Sequence, residues 1–337
     1  ARVLKVPVIR SVASYSGEQL QIDWDTVKSA NYYQLYRSTS KDGTYDYVAT
    51  VKENSYIDGA LTQGTEYYYK VRAVNKTGKI KGYSSYSEEV SGKTIAATII
   101  NEVYSHNSSQ IKLRIKPVKN ASGYQIFRST AKKGTYKKVA EVSSATYLDT
   151  KLSAGTTYYY KVRVVQKKKG VKGYSSYSGV RSCRALQKAG IIAIRSLSST
   201  KLEIQWNKTA GANYYELYRS TNKNSGYKKI KGTSKTSCKD TNRTEGKTYY
   251  YKIRAYKLAG TVNGKSSMSG IKSAKTIKRV QGVHAAISGE EAVVTWTGVS
   301  GVQQYQIKKS TSKNSGYKVV ATVSGQQYRD KTVASVG

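Results

Sequence analysis

The 337 residues carry 58 Lys and Arg against 20 Asp and Glu, a formal net charge of +38, with 38% apolar and 11% aromatic residues. That apolar share is enough for packed cores and excludes a wholly disordered chain, and the length calls for two to four domains. No apolar run approaches the eighteen or so residues of a membrane-spanning helix, and residues 1–10 lack the basic start, apolar stretch and cleavage pattern of a secretion signal, so the chain reads as a processed or excised piece, or a cytosolic one. Two prolines against 32 tyrosines and 28 glycines favour strands and turns over helices.

In chain order, the first predicted strand with a clear period of two holds Leu20, Ile22 and Trp24 on one face. The next holds Tyr33 and Leu35, and a later one Tyr67, Tyr69, Val71 and Ala73. Turn signals such as Lys41-Asp42-Gly43 and Thr77-Gly78 separate them. The same series then returns with a period of 91 residues. Trp24 recurs as Trp206 and Trp296, with Ile115 in the second slot. Tyr32 to Ser38 is matched from Gly123 and from Tyr214, and more loosely from Gln304. Tyr67-Tyr68-Tyr69-Lys70-Val71-Arg72 recurs almost unchanged from Tyr158 and from Tyr249. Four repeats are expected, at 1–94, 95–185, 186–276 and 277–337, each a sandwich of two antiparallel sheets. The fourth stops before its last two strands, which would expose an unpaired edge and half a core. The expectation is therefore a fragment of a chain that continues beyond Gly337.

These residues resemble the fibronectin type III module, in the tandem form of secreted and cell-wall proteins of Gram-positive bacteria. The resemblance rests on the second-strand tryptophan, on Gly123 to Ser129, and on Leu61 to Asn75. It implies an all-β chain of tandem seven-stranded immunoglobulin-like sandwiches arranged as an extended rod, the fourth incomplete. It also implies that Tyr67, Tyr158 and Tyr249 are tyrosine corners, whose hydroxyls bond back to the loop entering the strand. Ile115 in the tryptophan slot and Cys238 in the column of Tyr56, Tyr147 and Tyr328 depart from the pattern.

Reactive groups do not converge in the sequence. His106 falls in a predicted turn and His284 in a first strand of another repeat, and neither has a repeated acidic or thiol partner nearby. One acidic column recurs, Asp58, Asp149, Asp240 and Asp330, and is expected to accept backbone N–H bonds in the following turn rather than to hold a cation. Cys183 and Cys238 lie at the ends of different repeats, too far apart for the roughly 7 Å between bridged Cα atoms. No catalytic, metal or cofactor site is assigned, and no enzymatic activity.

The charge is uneven. Residues 1–94 hold 13 basic and 10 acidic side chains, 95–185 hold 18 and 3, 186–276 hold 19 and 4, and 277–337 hold 8 and 3. The central two repeats thus carry most of it, with lysines expected in loops: Lys132, Lys133, Lys137 and Lys138; Lys167, Lys168, Lys169 and Lys172; Lys223, Lys228, Lys229 and Lys231. If Tyr67 and Tyr69 point inward, Tyr68, Lys70 and Arg72 face outward, as do Tyr159, Lys161, Arg163, Tyr250, Lys252 and Arg254, with Tyr36, Phe127 and Tyr218 beside them. Such a ladder suits either cation–π packing across the sheet or the binding of an anionic polymer or polysaccharide. The expected function is a non-catalytic extracellular structural or adhesive array, a spacer, stalk or filament subunit of a secreted or cell-wall protein. The alternative is a region binding teichoic acid or polysaccharide and attached to a larger enzyme or adhesin. Self-association into a filament and non-specific nucleic-acid binding are the further partners considered.

Overall fold

The computed structural model describes residues 4–168, 171–260 and 262–332, and its described regular structure is all strand. Its contacts divide into two compact units, one holding the described residues up to Leu186 together with Ala259–Lys265, the other Gln187–Leu258 and the described residues from Ser266.

In the first unit the opening repeat has β1 (Ile9–Ser14), β2 (Leu20–Trp24), β3 (Tyr32–Ser38), β4 (Asp46–Val51), β5 (Ser55–Asp58), β6 (Glu66–Thr77), β7 (Ile80–Tyr83) and β8 (Val90–Lys93). They form a three-stranded sheet β1-β2-β5 and a sheet β4-β3-β6-β7 in which β8 also pairs with β6. The alternation read from the sequence holds: Leu20, Ile22, Trp24, Tyr33, Leu35, Tyr67, Tyr69, Val71 and Ala73 are all buried in one cluster between the sheets. Each fully buried apolar side chain of this size stabilises the sandwich by about 1.5–3 kcal/mol relative to exposure. The second repeat copies the first, with β9 (Ile100–Asn107), β10 (Gln110–Ile115), β11 (Gly123–Ser129), β12 (Lys137–Val142), β13 (Thr146–Asp149), β14 (Thr157–Lys168), β15 (Val171–Tyr174) and β16 (Arg181–Arg184). Ile115 packs in its core where the other repeats place tryptophan. His106 lies at the end of β9 rather than in a turn, because the strand runs to Asn107 before it reverses.

The second unit holds β17 (Ile191–Ser198), β18 (Lys201–Trp206), β19 (Tyr214–Ser220), β20 (Lys228–Thr233), β21 (Ser237–Asp240) and, except for its last residue, β22 (Thr248–Ala259). Then come β23 (Val262–Lys265), which is counted with the first unit, and β24 (Lys272–Lys275). Five further strands follow: β25 (Gln281–Ser288), β26 (Glu291–Thr297), β27 (Tyr305–Lys309), β28 (Lys318–Val323) and β29 (Gln327–Asp330). Among the described residues β27 pairs only with β28. A bulge at one column recurs in all four repeats and inserts Val48, Val139, Ile230 and Val320 as the extra residue on β4, β12, β20 and β28. The first three pack on their cores. Val320 is exposed, as are Val283 at 61% and Ile287 at 69%, while Trp296 keeps only 6% exposure. The fourth core is thus reduced to little more than Trp296 packed on Tyr305, ring centroids 5.3 Å apart.

Two tyrosine anchors repeat. The Thr62, Ser153 and Thr244 N–H groups donate to the hydroxyls of Tyr67, Tyr158 and Tyr249, each at 2.9 Å, which is the tyrosine-corner bond. Val27, Val118, Thr209 and Val299 donate in the same way to Tyr33, Tyr124, Tyr215 and Tyr305.

The aspartate column has different partners from those expected. Asp58 on β5 accepts two bonds from Arg37 Nη1 on β3, at 3.0 and 2.9 Å, and one from Tyr69 Oη on β6, at 2.7 Å. The carboxylate therefore ties one sheet to the other. Asp149 takes the same three bonds from Arg128 and Tyr160, whereas Asp240 takes one bond from Arg219 and one from Tyr251 and has Arg243 as a second ion-pair partner at 3.3 Å. Only Asp330 takes the expected backbone N–H, from Thr332, alongside Lys309 at 2.7 Å. Those groups, the Lys309 hydrogen bond foremost, depress its pKa to about 2. The guanidinium and the phenol take up three of the roughly four lone-pair sites of the Asp58 carboxylate.

Candidate polymer-binding face

Because Tyr67, Tyr69 and Val71 point inward, β6 turns Tyr68, Lys70 and Arg72 to the outer face, where all three are half-buried. The register sets Tyr36 opposite Lys70 and Gln34 opposite Arg72. Arg72 Nε donates to Gln34 Oε1 at 2.9 Å, and its guanidinium lies 4.3 Å from the Tyr83 ring centroid, 5.1 Å from Tyr86 and 5.4 Å from Tyr36. Tyr36 meets Tyr86 edge to face at 5.1 Å. Lys70 Nζ sits 4.5 Å over Tyr45.

The second repeat reproduces this with Phe127 in place of Tyr36. Arg163 lies 4.0 Å from Tyr174, 5.2 Å from Tyr177 and 5.4 Å from Phe127, and bonds Gln125 at 2.8 Å. Lys161 is shared between Tyr177 at 4.0 Å and Tyr136 at 4.9 Å. Each such contact contributes about 0.5–1 kcal/mol at an exposed site. In the third repeat Lys252 still covers Tyr227 at 4.2 Å, but Lys265 and Met268 replace the two hairpin tyrosines. Arg254 Nε is left buried with no hydrogen-bond partner among the described residues, because Glu216, standing where Gln34 and Gln125 stand, is engaged by Tyr218, Tyr256 and Lys229. Burial opposes the Glu216 charge, but these donors outweigh it and hold its pKa below the usual range.

The predicted ladder is therefore brought together within each of the first three repeats, Tyr68, Tyr159 and Tyr250 included, and most of its cations are capped by rings from neighbouring strands. Burial raises the phenol pKa values of Tyr36, Tyr45, Tyr136, Tyr218 and Tyr227, so the capping rings stay neutral at physiological pH. Beside Arg163 the face runs into an open groove of 420 Å³, lined by Tyr15, Glu18, Lys172, Tyr174 and Ser176 among others.

The lysines stand differently from the expectation. Lys137, Lys138, Lys228, Lys229 and Lys231 lie on strands β12 and β20, and Lys167, Lys168 and Lys172 on β14 and β15, because these strands extend past the turn signals. Lys167 and Lys168 are exposed, and Lys172, opposite Lys167, pairs with Glu141 at 3.0 Å. Lys169 lies outside the described residues. Both cysteines are free and half-buried, and burial pushes the Cys183 thiol up to about 12.

Sequence reasoning missed Tyr45, Tyr136 and Tyr227, the hairpin tyrosines, and the serines beside them. The signal was present in the repeated runs Gly82-Tyr83-Ser84-Ser85-Tyr86-Ser87 and Gly173-Tyr174-Ser175-Ser176-Tyr177-Ser178.

No family model matches the chain. It is 25% identical over 258 residues to Exoglucanase B of Cellulomonas fimi, covering 70% of this chain and 22% of that protein. It is 26% identical over 259 residues to Fibronectin type III domain-containing protein 7 of Mus musculus, covering 76% of this chain and 33% of that one. With Amylopullulanase of Thermoanaerobacter thermohydrosulfuricus the identity is 33% over 101 residues, 29% of this chain and 7% of the other. The chain spans a third or less of the length of these curated relatives. Among solved structures the FN1–FN3 domains of chicken CNTN1 align over 82% of this chain and 99% of theirs, with a TM-score of 0.35 and 14% identity. The fold is that of tandem fibronectin type III-like sandwiches.

Proposed function

We propose that the chain is a non-catalytic spacer array of an extracellular, cell-wall-associated protein of a Gram-positive bacterium, separating other parts of a larger polypeptide. The observation that carries this reading is the internal use of the polar groups. In each full repeat the arginine and the aspartate that could have formed a site tie the two sheets together, and the outer cations are mostly stacked on the repeat's own rings. Similarity to 22% of one exoglucanase and 7% of one amylopullulanase supports the same reading, since a spacer is a small share of the enzyme that contains it. Three full repeats end to end would extend on the order of 100 Å, at about 30 Å of strand and junction each. Small-angle scattering with a maximum dimension near that length or above supports the spacer; a globule of about half that length overturns it.

A second reading, binding of an anionic wall polymer such as teichoic acid, is favoured by the exposed Lys132, Lys133, Lys167, Lys168, Lys223 and Lys228 in the two most basic repeats. Titration with teichoic acid and duplex DNA in parallel separates this from non-specific nucleic-acid binding, and a true electrostatic contact weakens at least about tenfold as salt rises from about 50 to 500 mM.

A further inference from the structure

Within the first unit the β1–β2 turn of the first repeat meets the β14–β15 hairpin of the second, and the two form the walls of the 420 Å³ groove beside Arg163. Their contact is tight. The Gly17 N–H donates to the Tyr174 carbonyl at 3.0 Å, and a Cβ on Gly173 would stand 2.4 Å from the Ser14 carbonyl oxygen. Gln63 links the walls a second time: its Oε1 accepts from Ser176 Oγ at 2.9 Å, and its Nε2 donates to Glu18 Oε1 at 3.4 Å. Gln125 and the Tyr174 ring fix the Arg163 guanidinium, and Glu141 fixes Lys172 at 3.0 Å. The groove is therefore preformed, and its volume lies within the roughly 300–1,000 Å³ of small-ligand sites.

The hydrogen-bonding groups left over are complementary. Arg163 spends Nε on Gln125, and its two Nη groups donate to nothing among the described residues. The carboxylate of Glu18, an exposed residue, accepts only the long bond from Gln63 among those residues. Tyr15 is 44% exposed and offers a ring to solvent. Because Lys172 is already paired with Glu141, the groove is left with one unpaired guanidinium and one unpaired carboxylate, so it favours neither a polyanion nor a polycation. Three of its residues also belong to the first repeat alone. In the 91-residue period the columns of Tyr15 and Glu18 hold His106 and Ser109, then Leu197 and Thr200, and that of Gln63 holds Ala154 and Glu245. Side chains that serve the sandwich recur in every full repeat, as the Asp58 column does; these do not.

We propose that this groove binds an uncharged polysaccharide chain, with one sugar ring lying on Tyr15 and neighbouring hydroxyls bridging Arg163 and Glu18. A pyranose has an apolar C–H face and a rim of hydroxyls. The tyrosine ring matches the first, being an apolar body with a polar tip. Each hydroxyl both donates and accepts, so one accepts from an Arg163 Nη while the next donates to the Glu18 carboxylate. A polyanion would gain from Arg163 but be opposed by Glu18, which separates this occupant from the anionic polymer considered for the exposed lysines. The inference rests on neither the spacer reading nor the lysine contacts.

Backbone amide shifts of the isotope-labelled whole chain, titrated with cellotetraose, maltotetraose and tetra-N-acetylchitotetraose to about 5 mM each, test this. The expected result is a saturable shift with at least one of the three, centred on Tyr15 to Glu18 and Tyr174 to Ser176. Its affinity stays within about twofold between about 50 and 500 mM salt, because the ligand carries no charge. Tyr15→Ala and Glu18→Ala, both at exposed positions, keep the wild-type melting temperature and weaken binding at least about tenfold. Tyr15→Phe, which keeps the ring, stays within about threefold of wild type. No saturable shift with any of the three sugars, saturable shifts only outside the groove, alanine variants that bind like wild type, or displacement of the bound sugar by teichoic acid overturns the proposal.

Discussion

The Asp58 carboxylate is nearly inaccessible, at 4% side-chain exposure, while its partner Arg37 keeps 32%. Removing the carboxylate leaves a half-buried guanidinium and the wholly buried Tyr69 hydroxyl without their acceptor. Deleting one partner of a fully buried ion pair costs about 3–5 kcal/mol, and the residual solvent at Arg37 places Asp58→Ala at or just below the lower end of that range. Native-state hydrogen exchange of the β3 and β6 amides reads the loss within the first repeat alone. A change under about 0.5 kcal/mol there would show that the pair holds the sheets together no better than a surface contact. The residue pattern announced the aspartates as a column but not their partners. Arg37 precedes Asp58 by 21 positions and lies on the opposite sheet, so only sheet packing brings them together.

At the scale of the element, the last strand of each full repeat is broken in two by a pair of serines that stand in for the ladder. Between β7 and β8 the Ser87 N–H donates to the Val71 carbonyl at 2.8 Å while its Oγ accepts from the Val71 N–H at 3.1 Å and donates to the Glu88 carbonyl at 2.9 Å. Ser84 serves Ala73 in the same manner, as do Ser175 and Ser178 for Val164 and Val162. A buried N–H that loses its acceptor costs about 1–3 kcal/mol, so Ser87→Ala destabilises the first repeat by that amount and Ser85→Ala, exposed and outside this ladder, leaves it unchanged. Urea titration followed by exchange at the Val71 amide distinguishes them; equal effects for the two variants would count against the ladder role. Period-two reasoning finds the buried face of β6 because alternation is local. The serine substitution escaped it, because a side chain acting as a backbone acceptor leaves no hydrophobic trace.

Across the molecule the three full repeats share one response to alkaline pH. The hydroxyls of Tyr69, Tyr160 and Tyr251 are buried and donate to Asp58, Asp149 and Asp240, and burial together with these carboxylates raises their pKa values far above the ordinary phenol range. A folded-state pKa raised above the unfolded value of about 10 means that the stability is fully present below pH 10. It is lost as pH rises beyond that point, because the unfolded chain releases a proton that the folded chain retains. Each repeat should lose about 1.4 kcal/mol per pH unit from this tyrosine in that window. Melting temperatures between about pH 9 and 12 test it: Tyr69→Phe should flatten the fall for the first repeat only, and an unchanged slope refutes the assignment.

The family resemblance implied the tyrosine corners; the sequence alone determined the 91-residue repeat, the all-strand sandwiches and the inward faces of β2, β3 and β6. These follow from alternation and spacing, which are properties of a chain read a few residues at a time. Tertiary structure decided how each outward cation is spent. Arg72 and Arg163 are enclosed by rings from a neighbouring strand and the hairpin, Arg37 and Arg128 reach across to the opposite sheet, and the buried Nε of Arg254 has no hydrogen-bond partner among the described residues. It also decided which hairpins are covered. Gly82 and Gly173 read identically in the sequence, and only the presence of a packed neighbour makes one buried and leaves the other open.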